Sequence, residues 1–138
     1  MRQTRLMLGL ALAVGITVGF IGDQILNAQQ EVVKSTELIR KDLGGIKGKE
    51  GVLFRTELAP GGAGPKHFHP GDEFVYVVKG SGILEAQGKP PLSVKAGDTF
   101  YQPPKQVHAF KNASATDPAE VAVFLIVDKG KPIIVPVK

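Results

Sequence analysis

The sequence predicts an all-β domain, a sandwich or barrel of short strands, behind an apolar N-terminal segment. Three observations carry this reading. Short β-prone runs recur at regular intervals, Gly and Pro punctuate them, and no amphipathic helical pattern follows residue 40. At 138 residues the chain holds one domain's worth of core.

Taken in order, Arg2 and Arg5 precede Leu6 to Ile21, a run without a charge, which Asp23 and Gln24 end. This has the form of an export signal cut after Ala28, although Leu26 is bulkier than the small residue usual three places before a cut. The alternative is a retained membrane anchor through residues 6–22, near the ~17-residue minimum for crossing a bilayer. Gly15 and Gly19 would then offer a helix-packing face. Either way, the expected location is exported, periplasmic or otherwise extracytoplasmic. Residues 29–49 read as a polar linker leading into an edge strand, and residues 50–138 as the barrel domain.

Within that domain, Val52 to Leu58 alternates, with Val52, Phe54, Thr56 and Leu58 on one side. Ala59 to Pro65 cannot be helical and delivers Lys66-His67-Phe68-His69 to a Pro70-Gly71 turn. Glu73–Val78, Ile83–Ala86, Leu92–Val94, Thr99–Gln102 and Val107–Lys111 read as strands, separated by Gly- and Pro-containing turns. Val121–Val127 is the most β-prone run. Pro132 and Pro136 confine the tail's Ile133-Ile134-Val135 to an edge strand.

Composition narrows function by exclusion. The net charge of +4 comes from scattered lysines without interleaved aromatics, which is a solvated surface and not a nucleic-acid face. Cysteine is absent, which removes disulfides, thiolate ligands and a cysteine nucleophile.

All three histidines fall between Gly61 and Asn112. His67 and His69 are two apart, so a strand aims both to one side. Glu73 follows four residues on, and His108 comes later in the chain. Together they make a three-histidine, one-carboxylate set, suited to zinc or a first-row transition metal and poorly suited to magnesium or calcium. If His108 points inward, Phe110 and Asn112 share its face, and Glu73 shares one with Val75 and Val77. Phe100, Tyr101 and Gln102 border the same region on alternating faces. Lys66 and Asp72 alternate away toward solvent. Asn112-Ala113-Ser114 fits a glycosylation sequon.

These residues resemble the cupins. The first cupin motif, G-x5-H-x-H-x3-E-x6-G, is matched by Gly61, His67, His69, Glu73 and Gly80. The second, G-x5-P-x-G-x2-H-x3-N, is matched by Gly97, Pro103, His108 and Asn112, with Lys105 standing where the family usually has glycine. That departure bears on the geometry of the loop. The similarity covers roughly residues 50 to 128, and the short space between the motifs resembles that of small single-domain bacterial members of the cupin 2 conserved-barrel type.

The resemblance implies a double-stranded β-helix, or jelly-roll barrel, holding one divalent transition metal (iron, manganese, nickel, copper or zinc) on His67, His69, Glu73 and His108. It further implies a small-molecule substrate and a homodimer paired through edge strands, with Val121–Val127 or the tail as the pairing edge. The activity expected is that of a metal-dependent dioxygenase-type oxidoreductase acting on a phenolic or enol substrate. Glu73 would serve as ligand and, on loosening, as catalytic base, since the chain has no further histidine. The other readings are a non-enzymatic metal- or small-ligand-binding module of the cell envelope, and a metal-assisted isomerase or lyase. Lack of cysteine argues against the thioether-crosslinked cysteine-oxidising members. Length argues against the two-barrel oxalate decarboxylases.

Overall fold

The computed structural model describes residues 32–138. In chain order the strands are β1 (Val33–Asp42), β2 (Lys49–Leu58), β3 (His67–Phe68), β4 (Asp72–Lys79) and β5 (Ser81–Ala86). They continue with β6 (Leu92–Lys95), β7 (Thr99–Gln102), β8 (His108–Asn112), β9 (Ala119–Asp128) and β10 (Val135–Pro136). No helix among the described residues is long and apolar enough to cross a membrane. The expected signal or anchor at residues 1–28, including the run 6–22, lies outside the described residues.

The strands form two five-stranded sheets, ordered β1-β2-β9-β4-β7 and β10-β3-β8-β5-β6, with antiparallel pairing throughout. Their inner faces meet in an apolar core. Val75, Val77 and Val121 of the first sheet pack with Val94 of the second, and Phe100 and Phe110 close over them. Val52, Leu125 and Val127 form a second cluster, covered by Phe54 and by Ile133 from the tail. The arrangement is the all-β architecture that the turn-punctuated pattern predicts, in the jelly-roll form that the cupin resemblance implies.

The polar stretch before residue 49 contributes more than a linker. Val33–Asp42 pairs along the length of β2 as an edge strand, with a bulge between Glu37 and Ile39. Arg40 within it holds Glu37 and the buried Glu50, which keeps the one buried carboxylate at that end paired.

Val121–Val127 is not the pairing edge anticipated for it. It lies in β9, at the centre of its sheet, hydrogen-bonded to β2 on one side and β4 on the other. The physical reason is its two-sided apolarity: Val121, Leu125 and Val127 are buried, while Phe124 carries the apolar character onto the opposite face. The tail does form an edge, with Val135 and Pro136 pairing against Phe68 and His67. Proline is tolerated there because one side of an edge strand needs no donor.

Register aligns an apolar row across the outer face of the first sheet. Ile39 pairs with Leu53, Leu53 with Phe124, Phe124 with Phe74, and Phe74 with Tyr101. The Phe74 and Tyr101 rings lie 5.2 Å apart, and the Phe74 and Phe124 rings 6.5 Å apart. Ile39, Phe74, Tyr101 and Phe124 are all substantially exposed.

Candidate metal centre

Both sheets contribute to the site. His67 on β3 is register-paired with His108 on β8, and His69 follows immediately after β3, so three imidazoles project from one sheet. Glu73 projects from β4 in the facing sheet. The ring centroids lie 4.9 Å (His67–His69), 4.5 Å (His67–His108) and 5.5 Å (His69–His108) apart, and one nitrogen from each comes within 4.8 Å of the others. Glu73 Oε1 is 3.5 Å from His69 Nε2, and Oε2 is 3.1 Å from His108 Nε2. His69, Glu73 and His108 are buried and His67 is half-buried.

Each imidazole is oriented from behind. His67 Nδ1 lies 2.8 Å from the Pro65 carbonyl oxygen, His69 Nδ1 2.6 Å from that of Ile133, and His108 Nδ1 2.8 Å from that of Gln106. A carbonyl only accepts, so each Nδ1 carries the proton and donates. In the neutral ring, Nε2 is then a bare lone pair, the arrangement by which metal-ligating histidines are set. Backbone bonds fix the loops themselves. Lys105 N–H donates to the His69 carbonyl at 2.8 Å, and Val137 N–H to that of Lys66 at 3.0 Å.

The charges fit a cation. Burial pushes the Glu73 carboxyl upward, but the bonds and charges of His108 and His69 outweigh it and hold the group at about 2. Burial lowers His108, yet Glu73 overrides it and raises that imidazole. Burial lowers His67. Glu73 Oε2 is nonetheless buried without a properly directed hydrogen bond. Three inward nitrogens and an anionic oxygen without its own donor are a donor set that a divalent transition metal satisfies.

The structure thus brings together all four residues singled out in the sequence, His67, His69, Glu73 and His108. Val75 and Phe110 line the cavity beside them as the alternation requires. Phe100 and Gln102 turn inward, opposite Val75 and Glu73. Tyr101 turns outward and donates to Asp72 at 2.6 Å. Lys66 is exposed. Lys105 adopts φ 65°, the left-handed conformation that the family's glycine would take freely, so the loop keeps its path despite the substitution. Asn112 is buried: its Nδ2 lies 2.7 Å from the Asp117 carbonyl and 3.0 Å from that of Ala59, and its Oδ1 accepts from Ser114 N–H. It clamps the loop after β2 to the loop after β8 and has no free amide for a glycan. Gly82 admits the Phe110 ring, which would lie 2.0 Å from any Cβ there.

Sequence reasoning missed the carbonyls of Pro65, Gln106 and Ile133, which leave no side-chain signature. It also gave no role to Ser35, which lines the cavity with Thr56.

The four groups open into a cavity of about 240 Å³ whose walls are mainly Phe, Val, Leu and Ile. Fold and site together define a small antiparallel β-barrel with a candidate metal centre at its mouth. Residues 54–127 match the cupin domain family, Cupin_2, and the chain belongs to it. It is 38% identical over 77 residues to germin-like protein subfamily 2 member 1 of Arabidopsis thaliana, a match covering 52% of this chain and 35% of that protein. Among solved structures it resembles an oxalate oxidase in complex with the substrate analogue glycolate, at TM-score 0.61 and 28% identity, covering 78% of this chain and 56% of that one. A DMSP lyase from Ruegeria pomeroyi DSS-3 superposes at TM-score 0.64 and 21% identity, covering 78% and 52%, a likeness of fold. The chain therefore spans about a third of the curated relative and about half of these structures.

Proposed function

We propose that this cupin is a metal-dependent oxidoreductase of the dioxygenase type, acting on a small, largely apolar organic substrate such as a phenol or an enol. The observation that carries the reading is the convergence of His67, His69, His108 and Glu73, with each imidazole pinned through Nδ1 to a backbone carbonyl. When bound, iron, manganese, nickel or copper supplies open coordination positions and electron transfer between substrate and dioxygen.

The chain's own residues do the rest. Phe54, Phe100, Phe110 and Val123 exclude water and hold an apolar body beside the ligands. Among the described residues, no charged side chain other than the histidines and Glu73 lines the cavity. A second carboxylate, as in oxalate, would lie unpaired against apolar walls, which argues against carrying the oxalate-oxidising activity across. Glu73, held at about 2 by its imidazoles, is an anionic ligand as it stands. It becomes a base for a substrate hydroxyl only on leaving those partners.

The test is metal analysis followed by oxygen uptake. We expect near one metal per chain, with a sharp fall in His67→Ala and His108→Ala. Oxygen uptake with phenolic or enol substrates should disappear in Glu73→Gln. A protein that takes up no metal from any medium would sink this reading. The second reading, a non-enzymatic metal- or small-ligand-binding module, is favoured because among the described residues no titratable side chain beyond the four ligands lines the cavity. Metal uptake without turnover across a broad panel would support it. Export through residues 1–28 is part of the proposal and rests on the uncharged Leu6–Ile21 run. A mature chain retaining Met1 to Ala28 would overturn cleavage after Ala28.

A further inference from the structure

Outside the metal centre, the polar side chains lining the cavity among the described residues are those of Ser35 and Thr56. They are register partners on β1 and β2, and their hydroxyls are 2.8 Å apart. Their position relative to the metal centre follows from the ladders. Glu73 pairs with Leu125, Leu125 pairs with Val52, and Thr56 stands four residues farther along β2. Two strand spacings across and four residues along put the Cα atoms of Glu73 and Thr56 ~16 Å apart, leaving on the order of 10 Å between their polar groups.

A continuous apolar row fills that interval. Phe54 pairs with Val123, Val123 with Val75, and Val75 with Phe100. The cavity is therefore polar at both ends and apolar between. One end holds the anionic, metal-ligating cluster, and the other a neutral hydroxyl pair next to solvent, since Ser35 is exposed.

In such a pair one hydroxyl donates to the other, and the second keeps its proton for a third partner. The pair carries no charge, so it suits a neutral hydroxyl or carbonyl better than a carboxylate. Resting on the metal-dependent reading above, we infer that Ser35 and Thr56 form a distal recognition site. It selects elongated aryl ligands of about two rings, with one oxygen at the metal centre and a hydroxyl or carbonyl at the far end. A cross-strand Ser–Thr bond serving stability alone would be indifferent to the ligand's far end.

The experiment uses the zinc-loaded protein, in which no redox turnover consumes the probe. Calorimetric titrations compare 4,4′-dihydroxybiphenyl with 4-hydroxybiphenyl, which differ only in the distal hydroxyl. The diol's two equivalent hydroxyls alone give it a statistical factor of about two, and one net hydrogen bond at the distal site multiplies this by about three to ten, so the wild type should bind it roughly six- to twentyfold more tightly. In Thr56→Val the ratio should fall to about the statistical two, with affinity for 4-hydroxybiphenyl unchanged. Ser35→Ala should lower it as well, and provides the test if Thr56→Val folds poorly. A ratio of about two in the wild type, or a ratio unaffected by both substitutions, overturns the inference. Zinc titrations run alongside separate the two layers. Normal zinc uptake with no binding of either biphenyl sinks the distal site and its ligand class, whereas failure to take up zinc sinks the metal-dependent reading itself.

Discussion

Glu73→Gln should flatten the pH dependence of stability in the metal-free protein. Burial favours the neutral acid, but His108 and His69 hold the Glu73 carboxyl at about 2 against an ordinary 4.5. That difference corresponds to ~3 kcal/mol of folding stability. A folded value below the unfolded one means the stabilisation is present above pH 4.5 and lost as pH falls toward 2. For His108, burial acts to lower the imidazole and Glu73 raises it above its ordinary 6.5. Its contribution is complete below 6.5 and lost as pH rises through the raised value. Both statements describe one ion pair, counted once, so the metal-free wild type should be most stable between pH 4.5 and 6.5. Glutamine keeps the shape and removes the charge. At about 4–8 °C per kcal/mol for a domain of this size, wild type should melt roughly 10–20 °C above the variant inside that window and converge with it outside. Thermal melts by circular dichroism, after chelation, measure this. Parallel profiles for the two proteins would refute the pairing. Saturating zinc should abolish the alkaline decline, because the ion takes the neutral imidazole and displaces its proton.

Lys105→Gly should raise the melting temperature by a few degrees. It removes ~1–2 kcal/mol of left-handed strain, offset by up to ~1 kcal/mol of extra unfolded-state entropy. A lower melting temperature would show that the lysine side chain contributes contacts exceeding the strain. Deleting residues 130–138 removes the Ile133 carbonyl from His69 and should weaken zinc binding about 10- to 100-fold in a chain whose circular dichroism stays β. Unchanged affinity would mean that another group orients the ring. On the outer face, Ile39, Phe74, Tyr76, Tyr101 and Phe124 are each between 36% and 51% exposed, on the order of 400 Å² of side-chain surface. At the ~65% apolar share typical of homodimers this corresponds to about 600 Å² per partner, the lower end for a specific interface, so a second copy of the chain is the partner to test on this face. Sedimentation should show a dimer dissociating at micromolar concentration, abolished by Phe74→Glu. A wild type that stays monomeric at high concentration would contradict it.

Much of the site was legible because β geometry is periodic. Two-residue spacing put His67 beside His69 and Phe110 beside His108, and Gly/Pro turns marked where the strands stopped. What alternation conveys is faces and not neighbours. It could not tell that Val121–Val127 runs between β2 and β4, a fact of hydrogen-bond partners. Nor could it choose between Tyr101 and Gln102. That choice depended on Gln102 being paired with the inward Glu73. β1 was hard to recognise because an edge strand covered on one side carries few apolar residues, and most of Val33–Asp42 is exposed. The carbonyl anchors were invisible for a simpler reason: every residue has one.

His69 is tied to distant parts of the chain, through its ring to Ile133, 64 residues away, and through its carbonyl to Lys105. Closing a loop of that length costs about 4 kcal/mol of chain entropy, so the bond to Ile133 forms with the barrel and not ahead of it. The proton on its imidazole is therefore placed only once the barrel has closed. Before that, a growing or refolding chain presents the same histidines with free rings and either nitrogen available, a soft chelator indifferent to the ion's preferred geometry. Afterwards it presents a fixed triangle. Any selectivity among metal ions would thus belong to the finished barrel and not to the motif, and an ion arriving early would meet a different ligand from one arriving late.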